Sequence, residues 1–281
     1  MQHIEFVHTK HFDTCYNRIY PTGKLSLFID FIWQTKFDPL WKTNPGGFSD
    51  LLFPNIGYTY LINLGTPFHI QVNNHKVLLK QDGFLPRLNL IEAFHTEGNC
   101  LFGIKFKVSP VIFEKKVNFS EYRDRIYPLS YLIEPGLIKQ VREAATFQQR
   151  VKLISRHYEQ VIEQQESSLD PIRIVTSVIE NALRTCYFNE SVEDIAVRYK
   201  ISSRTLQRYF ESATGVSTKK ALQVLRIRKA VQHIISSPGD FHFSNYNYYD
   251  YSHFYKHLTQ FLEKKGLKQL QPHLLLLKSL K

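Results

Sequence analysis

Sulfur is scarce in this chain of 281 residues, which has 3 cysteines and 1 methionine. Three thiols cannot form a disulfide framework for so long a chain, so a reducing compartment is expected. Cys15, Cys100 and Cys186 lack C-x-x-C or C…H spacing and give no zinc site. Cys100 and Cys186 lie in apolar stretches and read as packing thiols. Long apolar runs are missing too. Residues 274–277 near the C-terminus fall far short of the roughly 20 residues that a membrane helix needs. Met1-Gln2-His3-Ile4-Glu5 has no basic head followed by an apolar stretch, so no secretory signal is read. These absences make the cytoplasm the expected home and leave no membrane partner. No G-x-x-x-x-G-K-[ST], G-x-G-x-x-G or G-x-S-x-G occurs in the required context. No enzyme and no cofactor are therefore expected. Acidic residues are the remaining shortage: 25 Asp and Glu face 36 Lys and Arg, a formal charge of +11. Such an excess leans toward nucleic acid, an acidic protein or an anionic surface.

What is present is ordinary for a globular chain: 43% hydrophobic and 22% charged residues, in a length that suits two domains. The charge is uneven. Residues 170–281 hold 17 Lys and Arg against 9 Asp and Glu, a balance of +8, while residues 1–169 carry +3. The first third reads as strands. Leu25, Leu27, Ile29, Phe31 and Trp33 alternate with Ser26, Asp30 and Gln34, the period of a half-buried strand. Further β-rich runs cover 50–53, 58–64, 68–72, 76–79, 88–94 and 100–108. Asn73-Asn74 suits a tight hairpin. Short strands at this spacing favour an antiparallel sandwich or barrel. After Pro110 the period changes: Leu137, Val141, Ala144, Phe147, Val151, Ile154 and Tyr158 step by three or four, as amphipathic helices do. A polar break at 164–168 precedes Asp170-Pro171, which reads as an N-cap followed by proline at the first helical position.

Residues 191–210 hold the strongest signal. Ser191 and Asp194 form a capping-box pattern, and Val192, Ile195 and Ala196 give a short helix an apolar face. Lys200-Ile201 would turn, and Ser202 would cap a second helix in which Leu206 and Phe210 face inward. Arg204, Gln207 and Arg208 would project outward. Arg pairs bidentately with guanine, and Gln with adenine, in a major groove. Two short helices, a tight turn and this outer face fit a helix-turn-helix.

At this point the sequence resembles the AraC/XylS family of transcription regulators. The resemblance rests on Asp194-Ile195-Ala196, Ser202, Leu206-Gln207-Arg208, Phe210, Gly215-Val216-Ser217, Leu225-Arg226 and Ala230, and spans about 172–265. It implies two helix-turn-helix units joined by a long helix over about 218–236. In the second unit Asp250-Tyr251-Ser252-His253-Phe254 resembles the D-Q-S-Y-F segment of the family. Phe243 stands where the family usually has alanine, Asn247 where it has the turn glycine, and Glu263 where it has a late glycine. A bulky Phe243 is expected to push the two helices apart or change their angle. Most of the surrounding rings read as core, while Tyr251 and Tyr255 with Lys256 are the candidates to face DNA. Gly47-Phe48-Ser49-Asp50-Leu51-Leu52-Phe53, Ile62-Asn63-Leu64-Gly65 and Leu101-Phe102-Gly103-Ile104-Lys105-Phe106 resemble the N-terminal domain of one subgroup.

The resemblance thus implies an α+β fold: a cupin-like antiparallel β domain over 1–110, a helical linker or dimerisation region over 111–168, and an all-α DNA-binding domain over 169–281. The expected function is sequence-specific transcription regulation through two recognition helices. The DNA-facing set is Ser202, Ser203, Arg204, Gln207, Arg208, Tyr251, Ser252, Tyr255 and Lys256. Arg198, Lys200, Lys219 and Lys220 would hold phosphates. Double-stranded DNA is the expected partner. RNA polymerase, a small-molecule effector in the β domain and a second copy of the chain are the further partners considered. The rival reading keeps one DNA-reading unit and turns the second into a protein-interaction surface. No metal is expected. His69 and His75 lack H-x-H pairing, and the pair His253 and His257, four apart on a helix, lacks an H-E-x-x-H motif. Trp33, Trp41, Phe53, Tyr58 and Tyr60 are candidates to wall a pocket in the β domain, or else plain core.

Overall fold

The computed structural model describes all residues except 74, 109–124, 166–168, 186–187, 189 and 280–281, and the side chains of 276–279 are not described. Cys186, Asn74, residues 111–124 of the expected linker and 166–168 of the polar break therefore lie outside the described residues.

Among the described residues, ten strands form two five-stranded sheets. One has the order β1 (Gln2–Ile4), β4 (Ser49–Leu52), β9 (Ile91–Phe94), β6 (Phe68–Val72) and β7 (His75–Leu79). The other has the order β2 (Asn17–Ile19), β3 (Ile29–Lys36), β10 (Cys100–Phe106), β5 (Tyr58–Asn63) and β8 (Asp82–Pro86). Among the described strands every pairing is antiparallel except β1 with β4, where His3 lies opposite Asp50. Val72 pairs with His75, which leaves a two-residue hairpin, and Asn73 takes the left-handed φ of 52° expected of it. Gly103 in β10 makes room for the opposing indole: a Cβ there would lie 2.1 Å from Trp33 Cε2.

The alternation read from Leu25 onward begins later in the fold. Residues Gly23–Leu27 form a 3-10 turn, and the strand starts at Ile29. Gly23 adopts φ 61° and the Ser26 hydroxyl bonds back to the Gly23 carbonyl at 2.7 Å, so local turn chemistry overrides the period-two pattern. The run at 88–94 shortens to Ile91–Phe94 in the same way. The short elements β1, β2, β8, α1 (Thr9–Cys15) and α2 (Asp38–Thr43) carry too few residues for a periodic signal.

Helices α3 (Pro135–Glu143) and α4 (Phe147–Gln164) pack on the second sheet, with the Tyr158 ring edge-on to Phe106 at 5.4 Å. Thr146 and Gln149 close a capping box at the start of α4. Buried Arg150 ties the pair together, donating to the Val141 carbonyl at 3.1 Å and to Gln34 Oε1 at 3.1 Å. Helix α5 (Asp170–Thr185) begins at Asp170 itself, and its Thr176 hydroxyl donates to the Leu27 carbonyl. After it come α6 (Val192–Arg198), α7 (Ser203–Thr214), the long α8 (Thr218–Ser236) and α9 (Tyr251–Ser279). One buried apolar cluster runs from the sheets through these helices to Leu274, and a second fills the space between the sheets. Among the described residues, no helix is long and apolar enough to cross a membrane.

Candidate nucleic-acid interface

The first helical unit follows from local chemistry. The Ser191 hydroxyl accepts from the Asp194 amide at 3.0 Å while the Asp194 carboxylate accepts from the Ser191 amide, closing the box at the start of α6. Lys200 takes φ 55° at the turn. Ser202 then caps α7, accepting from the Thr205 amide at 3.1 Å, and Gly215 ends it at φ 77°. Leu206 and Phe210 are fully buried, and Ala196 is buried where α6 meets α7. With that seam fixed, Arg204, Gln207 and Arg208, at i, i+3 and i+4, are all exposed on one outer face. Ser202 is exposed and Ser203 half-buried at the start of the same helix. Gln207 leans on Glu211, donating to its Oε1 at 3.0 Å. Arg198, Lys200, Lys219 and Lys220 are exposed around this face, and Arg198 is already ion-paired with Glu190.

The second unit is built differently. In place of a first α-helix, residues Phe243–Tyr246 form a single 3-10 turn. Buried Phe243 packs on Phe241, Tyr251 and Phe254 at ring separations of 5.2, 5.8 and 5.4 Å. Asn247 adopts the left-handed conformation (φ 54°) expected of it, and Glu263 also takes a positive φ, 54°. That residue kinks α9, whose distal part returns toward its start: Gln271, Leu274 and Leu275 share a cleft with Tyr251 and Tyr255. The two tyrosines are half-buried and stacked at 5.7 Å, while Ser252 and Lys256 are exposed. The rings of His253 and His257 are 4.8 Å apart. Burial and the nearby Arg226 guanidinium push the His257 imidazole below its ordinary pKa, and Arg226 lies 3.2 Å from His257 Nδ1.

The helical half is clamped to the sheets from α8 and α9. Arg228 is ion-paired with Glu5, donates to the carbonyls of Phe53 (3.3 Å) and Pro54 (3.2 Å), and lies over the Phe6 ring. Lys265 pairs with buried Glu92. Burial alone would raise the Glu5 carboxyl, but Arg228 and Arg87 outweigh it and hold it below its ordinary value.

Between the sheets lies a cavity of about 100 Å³, walled by Trp33, Leu61, Phe68, Leu85 and Leu101 and bearing Glu5, Asp50, Arg87, His95 and Lys105. Of the aromatics considered for such a wall, Trp33 lines it. Phe53, Tyr58 and Tyr60 belong to the core, and Trp41 packs on Phe48. Lys105 is buried and donates to the carbonyls of Ile56 and Phe106, each at 2.7 Å. Burial lowers its amine to about 7. His69 and His75 are exposed on β6 and β7. A further group lies near this cavity: His3, His11, Asp50 and His95 are all buried, and His3, His11 and His95 each have a ring nitrogen within 3.5 Å of the Asp50 carboxylate. Burial alone would raise that carboxyl, but the imidazoles of His11, His3 and His95 outweigh it and hold it well below the usual carboxylate range. These residues are dispersed along the chain, so no motif announces them.

No family model matches the chain, and no curated protein matches it in sequence. Among solved structures, ToxT from Vibrio cholerae is similar at 12% identity over 88% of this chain and 95% of that one, with a TM-score of 0.40. ToxT from strain SCE256 with an unsaturated fatty acid bound is similar at 12% identity over 88% and 92%, with a TM-score of 0.38. The AraC-like transcriptional activator CuxR is similar at 9% identity over 79% and 88%, with a TM-score of 0.31.

Proposed function

We propose that the chain is a transcription regulator that binds double-stranded DNA in a sequence-specific manner, through α7 above all. The observation that carries this reading is the outer face of α7: two arginines and a glutamine, exposed together on a helix capped at both ends and seated on a buried seam. Arg204, Gln207 and Arg208 would read base edges, with Ser202 and Ser203 near the backbone. Lys200, Lys219, Lys220 and Arg198 would neutralise phosphates and set register. RNA polymerase and a second copy of the chain are further partners this reading expects. The cavity between the sheets supports a compact small-molecule effector. The proposed domains follow the same division: a β domain over 1–110, helices over 111–168, and the reading domain over 169–281. Fragments selected from genomic DNA by the purified protein supply the test. Arg208→Ala should weaken gel-shift binding to such a fragment, and unchanged affinity would remove α7 from the reading.

The contact of Tyr251 and Tyr255 with the returning end of α9 favours a second reading, in which only the first unit reads DNA and the second is an interaction surface. Removing residues 238–281 would take the buried Phe254, Leu258 and Leu262 out of the core, so point changes at Tyr255 and Lys256 are the sounder test. Loss of specific affinity on both changes would restore a two-helix mode, in which recognition helices lie about 34 Å apart along one face of the duplex.

A further inference from the structure

The cluster around Asp50 is built in a way that a purely structural polar core does not require. Strand pairing sets His3 of β1 directly opposite Asp50 of β4, and α1 lays His11 beside them. His11 Nε2 is 2.9 Å from Asp50 Oδ1, and His3 Nδ1 is 3.5 Å from the same oxygen. One nitrogen or oxygen from each of the three lies within 4.8 Å of the others. Ligands of a tetrahedral ion at about 2.0–2.2 Å stand roughly 3.3 Å apart, so the two measured separations bracket that value.

Two further observations point to a cation. First, His3 Nδ1, the ring nitrogen that faces Asp50, is buried and has no hydrogen-bond partner. An unpaired polar atom in such a place is costly. Second, the hydrogen-bond network fixes the tautomer of His95. The Asn99 amide nitrogen donates to the Thr66 carbonyl (3.0 Å) and to Asn63 Oδ1 (3.3 Å), so Asn99 Oδ1 must accept from His95 Nδ1 at 2.9 Å. In the neutral ring, His95 Nε2 then turns a lone pair toward Asp50 Oδ2 at 3.2 Å. Two acceptors at that distance need a cation near them or a second proton on the ring.

We propose that His3, His11 and Asp50 bind one divalent first-row transition ion of the zinc class, with the Tyr16 hydroxyl orienting the carboxylate through Oδ2. Imidazole and carboxylate donors suit such ions, whereas calcium and magnesium prefer all-oxygen sets. Asp50, His95 and Tyr16 line the cavity between the sheets. Once bound, it ties β1, α1 and β4 together. This site is independent of the DNA-reading proposal and stands or falls separately.

The test uses the full chain without an affinity tag, stripped by a chelator and titrated with Co2+ and then Zn2+. One equivalent of Co2+ should bind per chain with a visible ligand-field band that Zn2+ bleaches, and thermal unfolding should move to higher temperature. His3→Gln, at the edge of its sheet, and His11→Asn should each weaken binding more than tenfold, while the double variant His253→Gln/His257→Gln leaves it unchanged. Should His11→Asn fail to fold, His3→Gln and the wild-type titration decide alone. Absence of a one-equivalent site in the wild type, or a site lost with His253 and His257 and kept without His3, overturns the assignment.

Discussion

The two halves of the molecule use charge in opposite ways. The sheet half turns its chemically active groups inward: Asp50, Glu92, Arg87 and Lys105 are buried. The helical half turns Arg204, Arg208, Lys200, Lys219, Lys220 and Lys256 outward. A buried charge survives only with partners that replace its hydration, and so it is tied to the fold or to a bound ligand. An exposed charge adds little to stability and is free to meet an external partner. The net charge of +11 hides this contrast, because part of the basic complement lies inside the sheets.

The comparison breaks most visibly at Arg87, which is buried, donates to the Phe53 carbonyl at 3.3 Å and stands 3.7 Å from Glu5. Arg87→Ala takes from Glu5 one of its two cationic partners, leaves it paired with Arg228, and opens the cavity wall. It is expected to cost about 2–4 kcal/mol in urea unfolding, with DNA affinity of the folded protein unchanged. An unaffected unfolding midpoint would show that the inward charges are dispensable. The converse holds on the outer face. Arg208→Ala should cost about 1–3 kcal/mol of specific DNA binding and leave the unfolding midpoint in place. With three or four phosphate contacts, log affinity should fall against log salt with a slope of about −3 to −4, and a flat salt dependence would refute the outward role.

These two sites also differ in how far the sequence discloses them. The face of α7 is local: Ser202, Leu206, Phe210 and Gly215 lie within one helix and its caps, so spacing alone specifies which side is buried. The long helix over 218–236 is legible for the same reason and matches α8. The Asp50 cluster is not local. His3 meets Asp50 because β1 joins the sheet in parallel beside β4, a pairing that three residues of strand cannot announce, and His95 arrives at the end of β9 on the other side of β4. The second unit lies between these cases. Asn247 and Glu263 mark its left-handed positions, but the reduction of its first helix to one 3-10 turn is a packing outcome of Phe243 among Phe241, Tyr251 and Phe254.

Lys105 sharpens the comparison through pH. Its folded value of about 7 lies below its ordinary 10.5, because burial disfavours the charged amine. Between those values the unfolded chain holds the proton and the folded chain does not, so stability should rise with pH across this window, by at most about 1.4 kcal/mol per unit. It should fall again as pH drops back toward 7. Lys105→Met should flatten the rise in denaturation curves taken from pH 7 to 10. A rise that persists in the variant would assign it to another group. DNA binding offers the matching control from the other half, since Lys256→Ala should cost less than about 1 kcal/mol if α9 contributes only a phosphate contact.

The smallest effect tests an outward charge that already has a partner. Arg198 is exposed beside α7 yet ion-paired with Glu190, and both side chains remain partly open to solvent. Such a surface pair contributes only about 0.2–1 kcal/mol to folding. Its bearing on DNA is larger in kind, because a guanidinium held by a carboxylate releases fewer counterions on meeting a phosphate, and the carboxylate itself repels the backbone. Glu190→Gln keeps the hydrogen-bonding shape and removes the charge. It should leave the unfolding midpoint nearly unchanged, raise DNA affinity a few-fold at moderate salt, and steepen the salt slope by up to about one unit. An unaltered slope would mean that Arg198 never reaches a phosphate. The outward charge relevant to binding would then contract to Lys200, Lys219 and Lys220 around the two arginines of α7.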